Sequence, residues 1–284
     1  MIPSAFDYHR PATVDDAVAL LAEHGEDARA IAGGHSLIPM MKLRMAEVGH
    51  LVDLQAIDAL RGIAVDGSTV TIGAMTTQHD LIADAALSRA APIIAEAALQ
   101  IADPQVRYVG TIGGNVANGD PGNDMPGLMQ CLDATYVLQG PGGTREVKAR
   151  DFYESAYFTA REDDEILTHI RFAAPAGGYA YVKQKRKIGD YATAAAAVTV
   201  SMSGGQCTAA SIAMTNLSDT PVYCEASVDA LTGTDAGAAA ITAAVAAMQT
   251  AIDPQEDNRG PVDFKRHVAG IILKRAIERA VSRA

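Results

Sequence analysis

Tryptophan is missing altogether from the 284 residues, and cysteine occurs three times, at Cys131, Cys207 and Cys224. No two of these form a CxxC pair, which argues against a disulfide framework, an iron–sulfur cluster or a structural zinc. The thiols read instead as small buried apolar groups. The seven histidines make no HxxxH or HExxH pattern, so no metal is expected in this chain. Positive charge is in deficit: 23 Lys and Arg face 34 Asp and Glu, a net charge of −11, and nucleic acid is not expected as a partner. No apolar run approaches the roughly 20 residues of a membrane span. The opening Met-Ile-Pro-Ser-Ala-Phe-Asp-Tyr-His-Arg has no basic stretch leading into an apolar core, so no signal peptide is expected. Also missing are the dinucleotide fingerprint GxGxxG and the phosphate-loop pattern GxxxxGK(S/T). What remains is an ordinary globular composition, long enough for two or three domains with their own cores.

Two glycine-rich turns stand out. One reads Ala30-Ile-Ala-Gly-Gly-His-Ser-Leu37, the other Thr111-Ile-Gly-Gly-Asn-Val-Ala-Asn118. Paired glycines let backbone approach a ligand with no Cβ in the way. Their exposed N–H groups can form an anion-binding concavity. Two such turns about 80 residues apart could clamp the two phosphates of one dinucleotide. Either turn alone is equally what a plain tight turn after a strand looks like.

Around them the chain reads in three parts, 1–56, 57–175 and 176–284. In the first, Thr13 caps a helix carrying Asp15 and Asp16 in its first turn, and strands at about 28–32 and 50–54 make a β-α-β unit. In the second, Asp66-Gly67 marks a hairpin, residues 77–102 are helical and broken at Pro92, and strands fall near 135–139, 145–148 and 165–172. Residues 103–124 hold five glycines and two prolines among 22 and read as a long functional loop. The Pro/Gly stretch 173–178 opens the third part. There, strands near 179–188, 195–202 and 207–215 precede alanine-rich helices and a helix running from Gly260-Pro261 to the end. This order is α+β, not the alternation of a doubly wound sheet.

Several polar residues could serve the clamp. Asp120 and Asp124 can accept from ribose or ribityl hydroxyls, or form turns and caps. Tyr191 can lie on a flat ring system or sit in a core. Lys183, Lys185 and Lys187 share one strand face and can neutralise a phosphate or an anionic reduced cofactor. His35 lies inside the first turn with no evident partner. These residues point to a dinucleotide or flavin site without specifying a reaction.

The segments Ala32-Gly-Gly-His-Ser-Leu-Ile-Pro-Met-Met-Lys-Leu-Arg44 and Thr111-Ile-Gly-Gly-Asn-Val-Ala-Asn-Gly-Asp-Pro-Gly-Asn-Asp-Met-Pro126 resemble the FAD-binding medium subunit of the molybdenum hydroxylases. The segments Phe6-Asp-Tyr-His-Arg-Pro11, Gly73-Ala-Met-Thr-Thr-Gln-His79 and Lys185–Ala197 are similar to its carbon monoxide-oxidising branch. The resemblance implies a two-part FAD-binding region of the PCMH type, not a Rossmann fold, and a C-terminal domain with a three-stranded antiparallel sheet and helices. It implies that Ala32, Gly33, Gly34, His35 and Ser36, with Thr111, Ile112, Gly113, Gly114 and Asn115, wrap the FAD pyrophosphate. It places Asn118, Asp120, Asp124, Leu167, Lys185 and Tyr191 on the same cofactor, with Leu167 near the adenine and Tyr191 over the isoalloxazine; Lys183 or Lys187 takes the place of Lys185 if the strand register differs. It implies partner subunits as well: a large one with molybdenum–pterin, a small one with two [2Fe–2S] clusters, in a dimer of heterotrimers with a quinone or other external acceptor. The expected location is the cytoplasm or the inner face of its membrane. The same subunit serving a purine, aldehyde, nicotinate or aromatic acyl-CoA, or a self-contained flavin oxidoreductase, would carry the same clamp.

Overall fold

The structure, a computed structural model, describes residues 2–284 and builds them on three principal sheets. The first is parallel. Strands β1 (Asp7–His9), β2 (Ala28–Ile31) and β3 (His50–Asp53) lie in the order β1-β3-β2. Helix α1 (Val14–His24) starts because Thr13 accepts from the Asp16 N–H and ends at Gly25, whose φ is 53°. It buries Ala17, Val18 and Leu21 against Val52 and Leu54. The three-residue β1 is absent from the sequence reading: it is too short, and too exposed, to show a period. Helix α2 (Leu37–Lys42) follows the first glycine turn.

The second sheet is antiparallel. It contains β4 (Ile63–Asp66), β5 (Thr69–Gly73), β6 (Thr135–Gly140), β7 (Gly143–Lys148) and, after the small hairpin β8 (Tyr153–Ser155) and β9 (Phe158–Thr159), strand β10 (Ile166–Ala173). The order is β4-β5-β10-β6-β7. Residues 77–102 form three helices, α3 (Gln78–Ala83), α4 (Ala85–Ala90) and α5 (Pro92–Ala98). They break at Asp84, whose side chain caps Leu87, as well as at Pro92. The expected loop at 103–124 also differs: it holds α6 (Pro104–Val109) and α7 (Ile112–Ala117) before α8 (Asp124–Cys131). Asp103 and Thr111 cap these two six-residue helices, which are too short for an apolar period to appear. Ile93, Ile94, Ile112, Leu128 and Tyr136 are fully buried between helices and sheet, each aliphatic side chain contributing about 1.5–3 kcal/mol.

The third sheet has strands β11 (Gly178–Gln184), β12 (Ala194–Ser203), β13 (Gln206–Thr215) and the two-residue β14 (Val222–Tyr223), antiparallel in that order. The three long strands are those expected; β14 adds an edge. Helices α9 (Glu225–Leu231), α10 (Ala238–Ala251) and α11 (Val262–Val281) cover one face. Strand β12 is buried on both faces, which explains its alanine run. Ala195 and Ala197 join the core of the middle part beside α8, while Ala194 and Ala196 pack with Ile272, Leu273 and Ala276 of α11. The helix comes so close that a Cβ on Gly178 would lie 1.8 Å from the Ala280 carbonyl oxygen. Among the described residues no helix is long and apolar enough to cross a membrane.

Candidate functional site

Strand β2 feeds the chain into the first glycine turn, where Gly34 takes φ 71° and its carbonyl accepts from Ile38 at the start of α2. A Cβ on Gly33 would lie 2.5 Å from the Val109 oxygen and 2.8 Å from Gly110 Cα. The first turn is therefore pressed against the chain just before the second. In the second turn the N–H groups of Ile112 to Asn115 are all taken by protein acceptors. The Ile112 N–H donates to Thr76 O, Gly113 to Ala74 O, Gly114 to Thr111 Oγ1 and Asn115 to Thr111 O. Among the described residues no protein acceptor receives the N–H groups of Gly33, Gly34, His35 or Ser36. The two turns look alike in sequence but divide the work: the second is a capped helix start, the first a row of free donors.

Between them opens a cavity of about 820 Å³, at the upper end of the range for ligand sites. Its wall takes all five residues of the first turn, Ala32 to Ser36, and Thr111, Gly113, Gly114 and Asn115 of the second. Asn118, Asp124, Leu167 and Tyr191 complete the expected set there. Ile112, Asp120 and Lys185 are not in the wall. Ile112 is fully buried beneath it. Asp120 turns its Oδ1 onto the Gly122 N–H, closing an Asx turn. Lys185 lies one residue beyond the end of β11, and the lysine in the wall is Lys183. The alternation along the strand was legible; where it ended was not.

Lys183 and Asp124 form a buried ion pair, Nζ to Oδ2 2.8 Å, with side chains 1% and 5% exposed. Tyr181 donates its hydroxyl to the other Asp124 oxygen at 2.5 Å. Burial, and then the Asp124 charge, push the Tyr181 pKa far above its ordinary value, so this phenol stays a donor. Asn115 ties the two segments together: its side chain accepts from the Met125 N–H and its carbonyl from Asn123 Nδ2. Tyr191 is 41% exposed at the cavity edge, with the Arg259 guanidinium 5.5 Å from its ring centroid.

Two features of the wall have no sequence signal. Gln78 at the start of α3 is 2% exposed, and neither its Oε1 nor its Nε2 has a partner among the described residues. A lone buried amide costs about 1–3 kcal/mol. An unpaired donor and acceptor in the same wall as the free backbone N–H groups suits a polar ligand. Glu165 is the second feature. Arg145 grips its carboxylate with two bonds of 2.6 Å and the Glu162 N–H donates to it at 2.8 Å. Burial pushes its pKa up, but these bonds prevail and hold it below the ordinary 4.5. The stability contributed is therefore complete above pH 4.5 and drains away as pH falls through the depressed value. Glu165→Gln should remove that acid-sensitive component from a far-UV circular dichroism titration run from about pH 6 to about pH 3.

The cysteines carry no site chemistry. All three are buried, and desolvation pushes the Cys131 and Cys224 thiols up to about 11 and about 12.

A turn with free donors, a long cavity and an α+β frame without a Rossmann sheet define a flavin-binding class, and comparison with known proteins agrees. The model described as the FAD binding domain in molybdopterin dehydrogenase matches residues 4–175, and that described as the CO dehydrogenase flavoprotein C-terminal domain matches residues 179–280. The chain belongs to this family of FAD-binding molybdopterin dehydrogenase subunits. It is 58% identical to the carbon monoxide dehydrogenase medium chain of Afipia carboxidovorans, covering 100% of this chain and 99% of that one. Against the corresponding chain of Hydrogenophaga pseudoflava the identity is 47%, again over 100% and 99%. A solved structure of reconstituted CO dehydrogenase from Oligotropha carboxidovorans superposes with a TM-score of 0.99 at 58% identity over the whole of both chains.

Proposed function

We propose that this chain is the FAD-carrying, electron-transferring subunit of a carbon monoxide-oxidising molybdenum enzyme. CO would be oxidised to CO2 on a large molybdenum–pterin subunit. This chain would stand between the [2Fe–2S] clusters of a small subunit and an external acceptor such as a quinone, in a dimer of heterotrimers. The observation that carries the reading is the row of free N–H donors at Gly33–Ser36 facing a cavity walled by the second turn. The substrate rests on the 58% identity over the full length to a carbon monoxide dehydrogenase medium chain.

The residues fit the cofactor. The first turn would offer its N–H groups to the pyrophosphate, and Gly114 of the second would leave it room, since a Cβ there would narrow the gap to Ala32. Lys183, already desolvated and paired with Asp124, would offer an N–H donor to an anionic ligand. Asp124 orients Lys183 and Tyr181. Leu167 and Tyr191 give apolar surface at two places on the wall. Bound there, the flavin supplies a centre that accepts and releases electrons in one- or two-electron steps. We assign no proton transfer to this chain's side chains.

The test is co-expression with the partner subunits. One FAD per copy of this chain, bleached when CO is added, is expected; the chain alone should not oxidise CO. A complex that oxidises CO without flavin would overturn the reading. Gln78 gives a second prediction. Gln78→Leu should stabilise the flavin-free chain by about 1–3 kcal/mol, because the lone amide is gone, and weaken flavin retention. Urea unfolding and flavin content read the two effects separately, and unchanged retention would remove Gln78 from the site.

A further inference from the structure

The chain brings three histidines from three elements to one point. His9 ends β1, His24 lies in the last turn of α1, and His50 opens β3. Their spacings of 15 and 26 residues match no metal motif, so only the fold reveals them. One ring nitrogen from each lies within 4.8 Å of the other two, and all three side chains are partly buried. His9 Nε2 is 3.1 Å from His50 Nδ1. The His24 and His50 rings stack at 3.7 Å with 4° between planes. The cluster is separate from the flavin cavity: none of the three lines its wall, and His50 is at the opposite end of β3 from the glycine turn.

We propose that His9, His24 and His50 form a site for one divalent transition-metal ion of the zinc type. Three neutral imidazoles with one open position are a donor set for zinc, and also suit nickel or copper. In a tetrahedral site with bonds of about 2.05 Å the ligand nitrogens stand about 3.4 Å apart. The 3.1 Å His9–His50 separation is already close to that. The stacked pair needs one ring to tilt, because parallel rings aim their lone pairs side by side and not at a common point. Partial exposure leaves room for the tilt and for water at the fourth position. Two further features favour a cation. The Asp7 carboxylate lies 4.0 Å from His50 Nδ1. His24 sits at the C-terminal, negative end of the 11-residue α1. An ion there ties α1 to two strands of the unit that presents the first glycine turn.

The experiment uses the untagged full chain, stripped with a chelator and titrated with zinc chloride and, separately, cobalt chloride. One equivalent of zinc should bind and raise the melting temperature, and cobalt should develop the visible absorption of a low-symmetry site. His24→Ala and His50→Ala should each lower zinc affinity by at least about a hundredfold, more than removal of an outer-shell partner does, while their far-UV circular dichroism and flavin content stay unchanged. His267→Ala, far away on α11, is the control and should bind normally. Absence of saturable binding in the unaltered chain, or His24→Ala binding zinc as tightly as the control, would overturn the proposal.

Discussion

Gly114→Val in the assembled complex should cut flavin content from one per chain to below about a tenth, an affinity loss of more than 1.4 kcal/mol. The fold should survive. A Cβ at Gly114 first meets Thr111 Oγ1 at 3.0 Å and then Ala32 Cβ at 3.5 Å, a side-chain atom and a methyl across the gap between the turns. The valine therefore fills ligand space and crowds the cap, but strikes no backbone from another segment. Gly33→Val differs. Its Cβ would stand 2.5 Å from the Val109 oxygen and 2.8 Å from Gly110 Cα, so main chain must move. Overpacking of this kind costs about 1–3 kcal/mol or more, and this variant should lose soluble protein along with flavin. Absorbance at the flavin band, normalised to protein, and the yield of soluble complex separate the two. Full flavin occupancy in Gly114→Val would sink the clamp.

From the sequence those two glycines are interchangeable, and the difference between them shows what a one-dimensional reading reaches. Motif content is local, so the turns, the Asp66-Gly67 hairpin and the punctuation at 173–178 were legible. Strand alternation on β11 was legible too, because period two survives in a half-buried strand. Its end was not, and Lys183 rather than Lys185 came to lie in the cavity wall. Helices α6 and α7 escaped because six residues hold less than two turns, and the two glycines of α7 argue for loop. Gln78 and the His9–His24–His50 cluster have no local signature. One is defined by what fails to bond to it after folding, the other by three elements meeting. In each case the missing information is tertiary.

The buried pair Lys183–Asp124 should give the largest stability effect. Asp124 is 4% exposed, and Lys183→Met leaves its carboxylate with Tyr181 as its one side-chain partner among the described residues. Breaking a buried pair from one side costs about 3–5 kcal/mol, because a lone charge remains. Lys183→Met combined with Asp124→Asn should recover much of the loss, since a neutral amide can still accept from Tyr181 and no charge is stranded. Urea unfolding of Lys183→Met, Asp124→Asn and the double variant, with and without FAD, tests this. Strictly additive costs in the double variant would mean that the pair is not coupled. Recovered stability without recovered flavin would place the Lys183 charge with the ligand as well as with Asp124.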